Sequence, residues 1–503
     1  MLKMVGGTGI IGVDMVCPLG GTVSPPQPPN YDKVEVEGVG SLMLPNSLKA
    51  PLERVELLGN STQGENPAPD NPQEIKSAGR KSKNLFNIAD LRVGQVQKDG
   101  TINEKQIYYR TVILDVPQDG KYRITFNSND DYIMLYFTEA YANGAYSQPY
   151  LRVHAGNPNY YITLAKGKNI LSFSTHTASE KIVFTTDHNI MIAAESETLD
   201  YEPYGYFFDV KVTGKNLLNL QKESDVKGTY QGWKVGDGKK TIVLSIKDKG
   251  NNVDITKCSI GVSGNGINPN DGLGWIVQDG TILRSEIKTT NPYVTIYPPN
   301  ETAVQKFLDR FEIQVEYGTT ATPYEPYTEQ TVQIALDEPL RGIGEYKDTI
   351  TKDGAVRKIK RAVFDGSEDE KWGLSREHEN HINFALVIKG AITVNTGIRT
   401  MMDKFKYFGV IWNSDLLGQD MFGATLRINM PKTLATDLQT FKTWLSQNPL
   451  TVDYVLAEPV TEPLPESVQA QLSSLHSENG VTHVFVDSGE VPCGIKLTYR
   501  KEK

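Results

Sequence analysis

The chain has 503 residues, enough for about three or four domains that each bury a core. Its net charge of -9 and pI near 5.5 offer no basic footprint for a nucleic-acid backbone or an anionic lipid surface. No apolar run reaches the ~18 residues of a membrane span, and Cys17, Cys258 and Cys493 are odd in number and far apart, which predicts lone thiols.

At the N-terminus, Asp14 and several glycines interrupt the apolar run, so a secretory signal is not expected. Segment 24–29, Ser-Pro-Pro-Gln-Pro-Pro, cannot continue a helix or pair inside a sheet, and it predicts an extended polyproline rod. Residues 1–35 therefore read as an arm and linker, and 36–82 as a β-rich attachment segment. Polar and apolar residues alternate at 33–37, 122–126, 170–174, 181–185, 483–487 and 495–499, as half-buried strands require. Asp-Gly turn signals fall between strands, at Asp99, Asp119, Asp237, Asp271, Asp279 and Asp353.

Two stretches repeat each other. Lys83-Asn84-Leu85-Phe86-Asn87 opens one that closes on Tyr201-Glu202-Pro203-Tyr204; Lys215-Asn216-Leu217-Leu218-Asn219 opens another that closes on Tyr324-Glu325-Pro326-Tyr327. A unit of roughly 120 residues is too long for a solenoid repeat and has the size of a domain. The fold predicted is mainly β, with tandem antiparallel jelly-roll sandwiches over 83–205 and 214–328. An α+β domain follows over 329–503, β-rich with one or two helices. Leu434, Leu438, Phe441 and Leu445, between Pro431 and Pro449, form one apolar helical face there.

Segment 57–75 carries Gly59, Gln63, Gly64, Pro67, Pro69, Pro72, Glu74 and Ile75. Its spacing resembles a segment of minor structural proteins from tails of phages that infect Gram-positive bacteria. The Lys-Asn-Leu openings, the closing stretch 313–327, Leu340-Arg341-Gly342-Ile343-Gly344, Asp365-Gly366-Ser367-Glu368 with Trp372, and 452–460 extend the resemblance over about 50–503. In the first copy, 195–200 replaces the Gly-Thr-containing approach to the closing tyrosine, so its final turn is expected to differ. The resemblance implies a virion tail-tip or baseplate component made in the host cytoplasm. Its implied partners are other tail proteins, host polysaccharide or teichoic acid, and sister chains, with a trimer favoured. A purely structural connector and a polysaccharide depolymerase are the alternatives.

Sugar rings pack their C–H faces on aromatic rings while amides and charged groups bond the hydroxyls. In the first copy the loop-like stretch 141–161 offers Tyr141, Tyr146, Tyr150, Arg152, Asn157, Asn159 and Tyr160 as saccharide contacts. The second copy offers Trp233 and Trp275, which at this kind of position are more often core, together with Tyr293 and Tyr297. No catalytic constellation stands out. His378 and His381 are the only close histidine pair and read as a solvated turn. No cofactor is expected; 127–131 holds oxygen ligands suited to calcium but lacks EF-hand spacing, and reads as a polar turn.

Overall fold

The computed structural model describes residues 31–502 apart from 98–100, 127–131, 138–150, 155–159, 175–188, 199, 223, 229, 237–240, 252, 254–258, 264–265, 268–274, 278–281, 287–291, 298–300, 396 and 410–416. The protein is mainly β, with antiparallel sheets and three helices among the described residues.

Both repeats are sandwiches of a five-stranded and a three-stranded sheet. In the first, the larger sheet runs Leu151–His154, Tyr132–Phe137, Gly167–Ser174, Arg110–Val116, Arg92–Val93, and the smaller runs Tyr160–Leu164, Gly120–Thr125, Met191–Ala194. In the second, Trp275–Val277, Ser259–Ser263, Tyr293–Tyr297, Tyr230–Lys234 and Asp225–Lys227 face Ile282–Glu286, Thr241–Asp248 and Phe311–Tyr317. Taken in chain order, each strand of one copy occupies the place of its counterpart in the other. The helix Glu301–Arg310 precedes the last strand of the second sandwich, and its Val304 and Phe307 are buried in that core.

The repeated Lys-Asn-Leu opening has a definite physical role. The Asn84 amide donates to the carbonyls of Ile190 (2.9 Å) and Glu202 (3.1 Å), and its oxygen accepts from the amides of Phe86 (2.9 Å) and Ile192 (3.0 Å). Asn216 does the same in the second copy, donating to Ile313 (3.3 Å) and Glu325 (3.0 Å) and accepting from Leu218 and Val315 (3.1 Å each). Both side chains are buried, and each ties the start of its sandwich to its last strand and to its Tyr-Glu-Pro-Tyr exit. Phe86 and Leu218, two residues on, enter the respective cores.

The two sandwiches hang from a twelve-stranded sheet assembled from widely separated parts of the chain. Its path runs Glu329–Leu336, Tyr206–Thr213, Gly480–Asp487, Ser41–Ser47, Gly494–Glu502, Arg54–Leu58, Thr349–Thr351, Gly354–Phe364, Leu450–Glu462, Thr400–Met402, with Tyr31–Val39 on Gly494–Glu502 and Arg80–Lys81 on Tyr206–Thr213. The segment 36–82 and the residues beyond 329 are thus neighbours in one sheet and share one core around Leu44, Leu57, Val210, Ile334, Val484 and Leu497. This differs from the expected separation of an attachment segment from a C-terminal domain. Strand alternation carries no information about a partner hundreds of residues away. The expected linker likewise ends earlier, because Tyr31 already pairs with Glu502.

Each sandwich leaves and re-enters this sheet through adjacent strands. Arg80 and Lys81 pair with Phe207 and Tyr206 across the first, and Val212 and Thr213 pair with Gln330 and Glu329 across the second. Within 365–450 a further four-stranded sheet, Gly373–Glu377, His381–Val387, Thr425–Pro431, Gly418–Phe422, packs against the helix Leu438–Gln447. That helix starts later than its apolar stripe suggests. Asp437 caps it, accepting from the Thr440 amide (2.8 Å) while the Thr440 hydroxyl accepts from the Asp437 amide (3.0 Å), so Leu434 lies outside it and only Phe441 and Leu445 are buried. Of the strands expected from alternation, 181–185 falls outside the described residues; the other five fall in strands.

Asn216→Ala leaves two buried amides and two carbonyls without partners, at about 1–3 kcal/mol for each group that water does not reach. The expected outcome is loss of hydrogen-exchange protection across 216–327 with the first sandwich unchanged, and the mirror pattern for Asn84→Ala. Uniform loss over the whole chain would contradict two independently clasped units.

Candidate functional site

A cleft of about 590 Å³ lies where the second sandwich meets the central sheet. Its floor comes from Lys211, Thr213 and Phe485 of the sheet, and its walls from Leu217, Asn219, Lys222, Trp233, Lys234 and Tyr327 of the sandwich. The position follows from the topology. The strand pair Thr213–Glu329 carries both chain ends of the sandwich, so the Asn216 opening and the Tyr327 closing face each other at one place.

Tyr327 donates its hydroxyl to Glu329, and Lys211 places its ammonium 2.6 Å from the same carboxylate and 5.7 Å from the Tyr327 ring. Burial pushes the Tyr327 phenol far up, and the Glu329 carboxylate reinforces the shift. For Glu329, burial acts upward, but the bonds from Lys211 and Tyr327 outweigh it and hold the group below the ordinary carboxylate range. Lys222 and Lys234 bring two further ammonium groups to the wall, against the carboxylates of Asp225 and Asp487.

At the rim the cleft passes into the outer face of the five-stranded sheet. Val294 and Ile296 point into the core, so Tyr293, Thr295 and Tyr297 face outward along the same strand. Tyr297 is 44% exposed and its ring lies 5.0 Å from that of Tyr230 on the neighbouring strand. Tyr293 donates to Asp225 at 2.6 Å; that bond, then burial, raises its phenol. Between the Tyr297 and Tyr293 ends of the strand the face is covered: Thr295 is buried, and Ile267 packs over Gly232, which stands opposite it. Tyr230 and Tyr297 thus form an exposed aromatic pair on the sandwich that walls the cleft, whose three lysines are matched by Glu329, Asp225 and Asp487.

The sequence candidates fall in different places. Tyr141, Tyr146, Tyr150, Asn157 and Asn159 lie outside the described residues. Arg152 stands on the edge strand Leu151–His154, opposite Met134. Tyr160 packs half-buried against the first core; its neighbour Tyr161 turns outward, with Lys121 and Arg123 at 4.5 and 5.5 Å from its ring. Tyr160 and Arg152 belong to the two different sheets of the sandwich. Trp233 does reach the cleft wall, but it is 6% exposed and its indole N–H is spent on the Lys222 carbonyl (3.2 Å), so it shapes the wall and offers no open face. Trp275 stands opposite Gly261 in the larger sheet.

Tyr230 and Tyr327 were not singled out from sequence. The alternation in Tyr230-Gln231-Gly232-Trp233-Lys234, with Trp233 inward, was the available signal for Tyr230. Among the described residues no group of three His, Cys, Asp or Glu side chains is placed to hold a metal; segment 127–131 lies outside them. His378 and His381 stack at 4.2 Å across a hairpin turn, and His381 is buried, unlike the solvated pair expected. The Cys493 thiol is buried, which pushes it up to about 11 and leaves it unreactive at neutral pH.

No protein-family model and no curated protein matches the chain. Among solved structures, the 2.6 Å structure of infectious bursal virus-derived T=1 particles aligns with 8% identity over 95% of this chain and 80% of that one, at a TM-score of 0.09. A likeness at that level carries no argument.

The two junctions share an electrostatic device with a testable pH dependence. Glu202, at the exit of the first sandwich, is buried, which acts upward, yet the Lys83 amide (2.9 Å) and Arg80 (2.8 Å) hold it low, as Lys211 and Tyr327 do for Glu329. A carboxylate whose folded pKa is depressed contributes stability that is present above its unfolded value and lost as pH falls through the folded one. Protection factors at residues 82–84 and 327–330, corrected for the intrinsic pH dependence of amide exchange, are therefore expected to fall below about pH 4 while those of core strands hold. Corrected protection that falls on raising the pH from 5 to 8 would contradict it.

Proposed function

We propose that the chain is a non-enzymatic virion component of a phage tail tip or baseplate that engages a host-surface glycan through its second sandwich. The observation that carries this reading is the exposed Tyr297 ring paired with Tyr230 on the same sandwich that walls the lysine-bearing cleft. Exposed rings suit the C–H faces of sugars, and ammonium groups suit the phosphates or carboxylates of wall polymers. The motif resemblance across 50–503 supports the virion context. Modest affinity at each site is raised by several copies acting on one polymer, for which a homo-oligomer, with a trimer favoured, provides the geometry.

A purely structural connector is the second reading, favoured by the way both sandwiches are anchored at both ends to one sheet. The two readings separate on binding. Purified wall polysaccharides and teichoic acids from Gram-positive hosts are titrated into the full chain by calorimetry, with Tyr230→Ala, Tyr297→Ala and the double variant alongside. Each ring is expected to contribute on the order of 1 kcal/mol, so single changes weaken binding about several-fold and the double change more. Absence of binding across the panel, or binding indifferent to the double change, supports the connector instead.

A further inference from the structure

A second cavity, of about 550 Å³, lies between residues 67–70 and the 365–450 subdomain, far along the central sheet from the Tyr327 cleft. We propose that it is the docking groove for the proline-rich segment 24–29 of a second copy of this chain. Its walls are rings and aliphatic groups: Pro67, Pro69, Phe405, Leu417, Leu434 and Trp444. Leu417 and Leu434 are exposed although they sit beside a well-packed core.

The groove's cations are already engaged. Lys404 donates to Asp403 (2.7 Å) and to the Pro449 carbonyl (2.6 Å), and Lys406 donates to Asn66 (3.2 Å). With Asp403 against Lys404, and Asp70 in the same lining as Lys406, the groove carries no net charge, which suits a neutral and apolar occupant. Aromatic and proline-lined grooves take polyproline segments, which are already extended and lose little entropy on binding. Residues 18–30 meet that description: they carry no charged side chain and include Pro18, Pro25, Pro26, Pro28 and Pro29.

Chain geometry makes the occupant a second copy. Tyr31 begins the strand that pairs with Gly494–Glu502 on the side away from Arg54–Leu58, while residues 404–406 follow the far-edge strand Thr400–Met402. Six strand spacings separate those two strands, and the registers also place their ends at opposite levels: Tyr31 pairs with Glu502, whereas Met402 lies level with Ala362, past the Gly494 end of that strand, so they are tens of ångströms apart along the strand direction. Asn30 alone joins Pro29 to Tyr31, and even Pro25 reaches no more than about 20 Å from it. The prolines of one copy cannot enter their own groove. Segment into groove, copy after copy, is a head-to-tail contact that closes into a ring where the rotation allows.

The test uses the full chain and light scattering after size exclusion. Replacing Pro25, Pro26, Pro28 and Pro29 by Ser disables the segment; Leu434→Asp, or Leu417→Asp should the first misfold, disables the groove. Association of the unaltered chain, a monomer for each variant alone, and a two-chain complex on mixing the two variants are expected, because one supplies a sound groove and the other a sound segment. A synthetic peptide of residues 18–30 should bind the segment variant and bind at least tenfold more weakly when Leu434→Asp is added. A monomeric unaltered chain, oligomers of unchanged mass in both variants, or peptide binding indifferent to the groove changes would each overturn the proposal.

Discussion

The buried amides of Asn84 and Asn216 set where each sandwich starts relative to where it stops, and the rest of the architecture depends on that. A primary amide has two donors and an oxygen that accepts twice, and in both copies all four are used on backbone groups. Out of water such a saturated group is stabilising and specific, because any other side chain strands several partners at once. With entry and exit pinned side by side, a whole domain is inserted into the central sheet without disturbing its ladder. The inserted ends become two neighbouring strands, and the cleft is the space between them and the body of the second sandwich.

The central sheet has its own crossing point. Gly59 and Gly342 approach so closely that a Cβ on the first would lie 2.2 Å from the Arg341 carbonyl oxygen, and one on the second 2.5 Å from the Gly59 oxygen. Around them Asp348 accepts from the amides of Arg341, Lys358 and Ile359, and the fully buried Asp453 accepts from Arg361 at 2.7 and 2.9 Å. Burial acts to raise Asp348 more strongly than those bonds lower it, so the site holds together only with its donors in place. Gly59, Leu340-Arg341-Gly342 and Asp453 are also among the motif residues that stand out in the sequence. These motifs are fixed by chain crossing, and they speak to architecture more than to any ligand.

That distinction explains what was legible. The repeat was readable because its opening and closing residues make the clasp, and clasp geometry tolerates few substitutes; two sandwiches of one topology followed from it. The central sheet was not readable, because Tyr31–Val39 shows alternation but nothing in it names Gly494–Glu502 as its partner. Trp233 was readable as an aromatic but not as a wall, since its burial depends on a cross-strand register with Val294 that no local pattern fixes. Leu434 continued a helical stripe, yet the local bonds of Asp437 and Thr440 started the helix later and left that side chain facing a groove.

The same register logic locates the aromatic pair. On a strand, a residue kept inward by the core forces its neighbours outward, so Val294 and Ile296 commit Tyr293 and Tyr297 to the surface whatever those tyrosines do there. Tyr293 then spends its hydroxyl on Asp225, while Tyr297 and Tyr230 rest on each other and leave ring surface uncovered. An aromatic pair held on a rigid ladder loses little conformational freedom when a ligand stacks on it, which favours such a pair over a flexible loop for a weak contact repeated many times. Because both chain ends of the sandwich run into adjacent strands of the central sheet, the aromatic pair is tied to that sheet through two covalent connections and a hydrogen-bonded ladder.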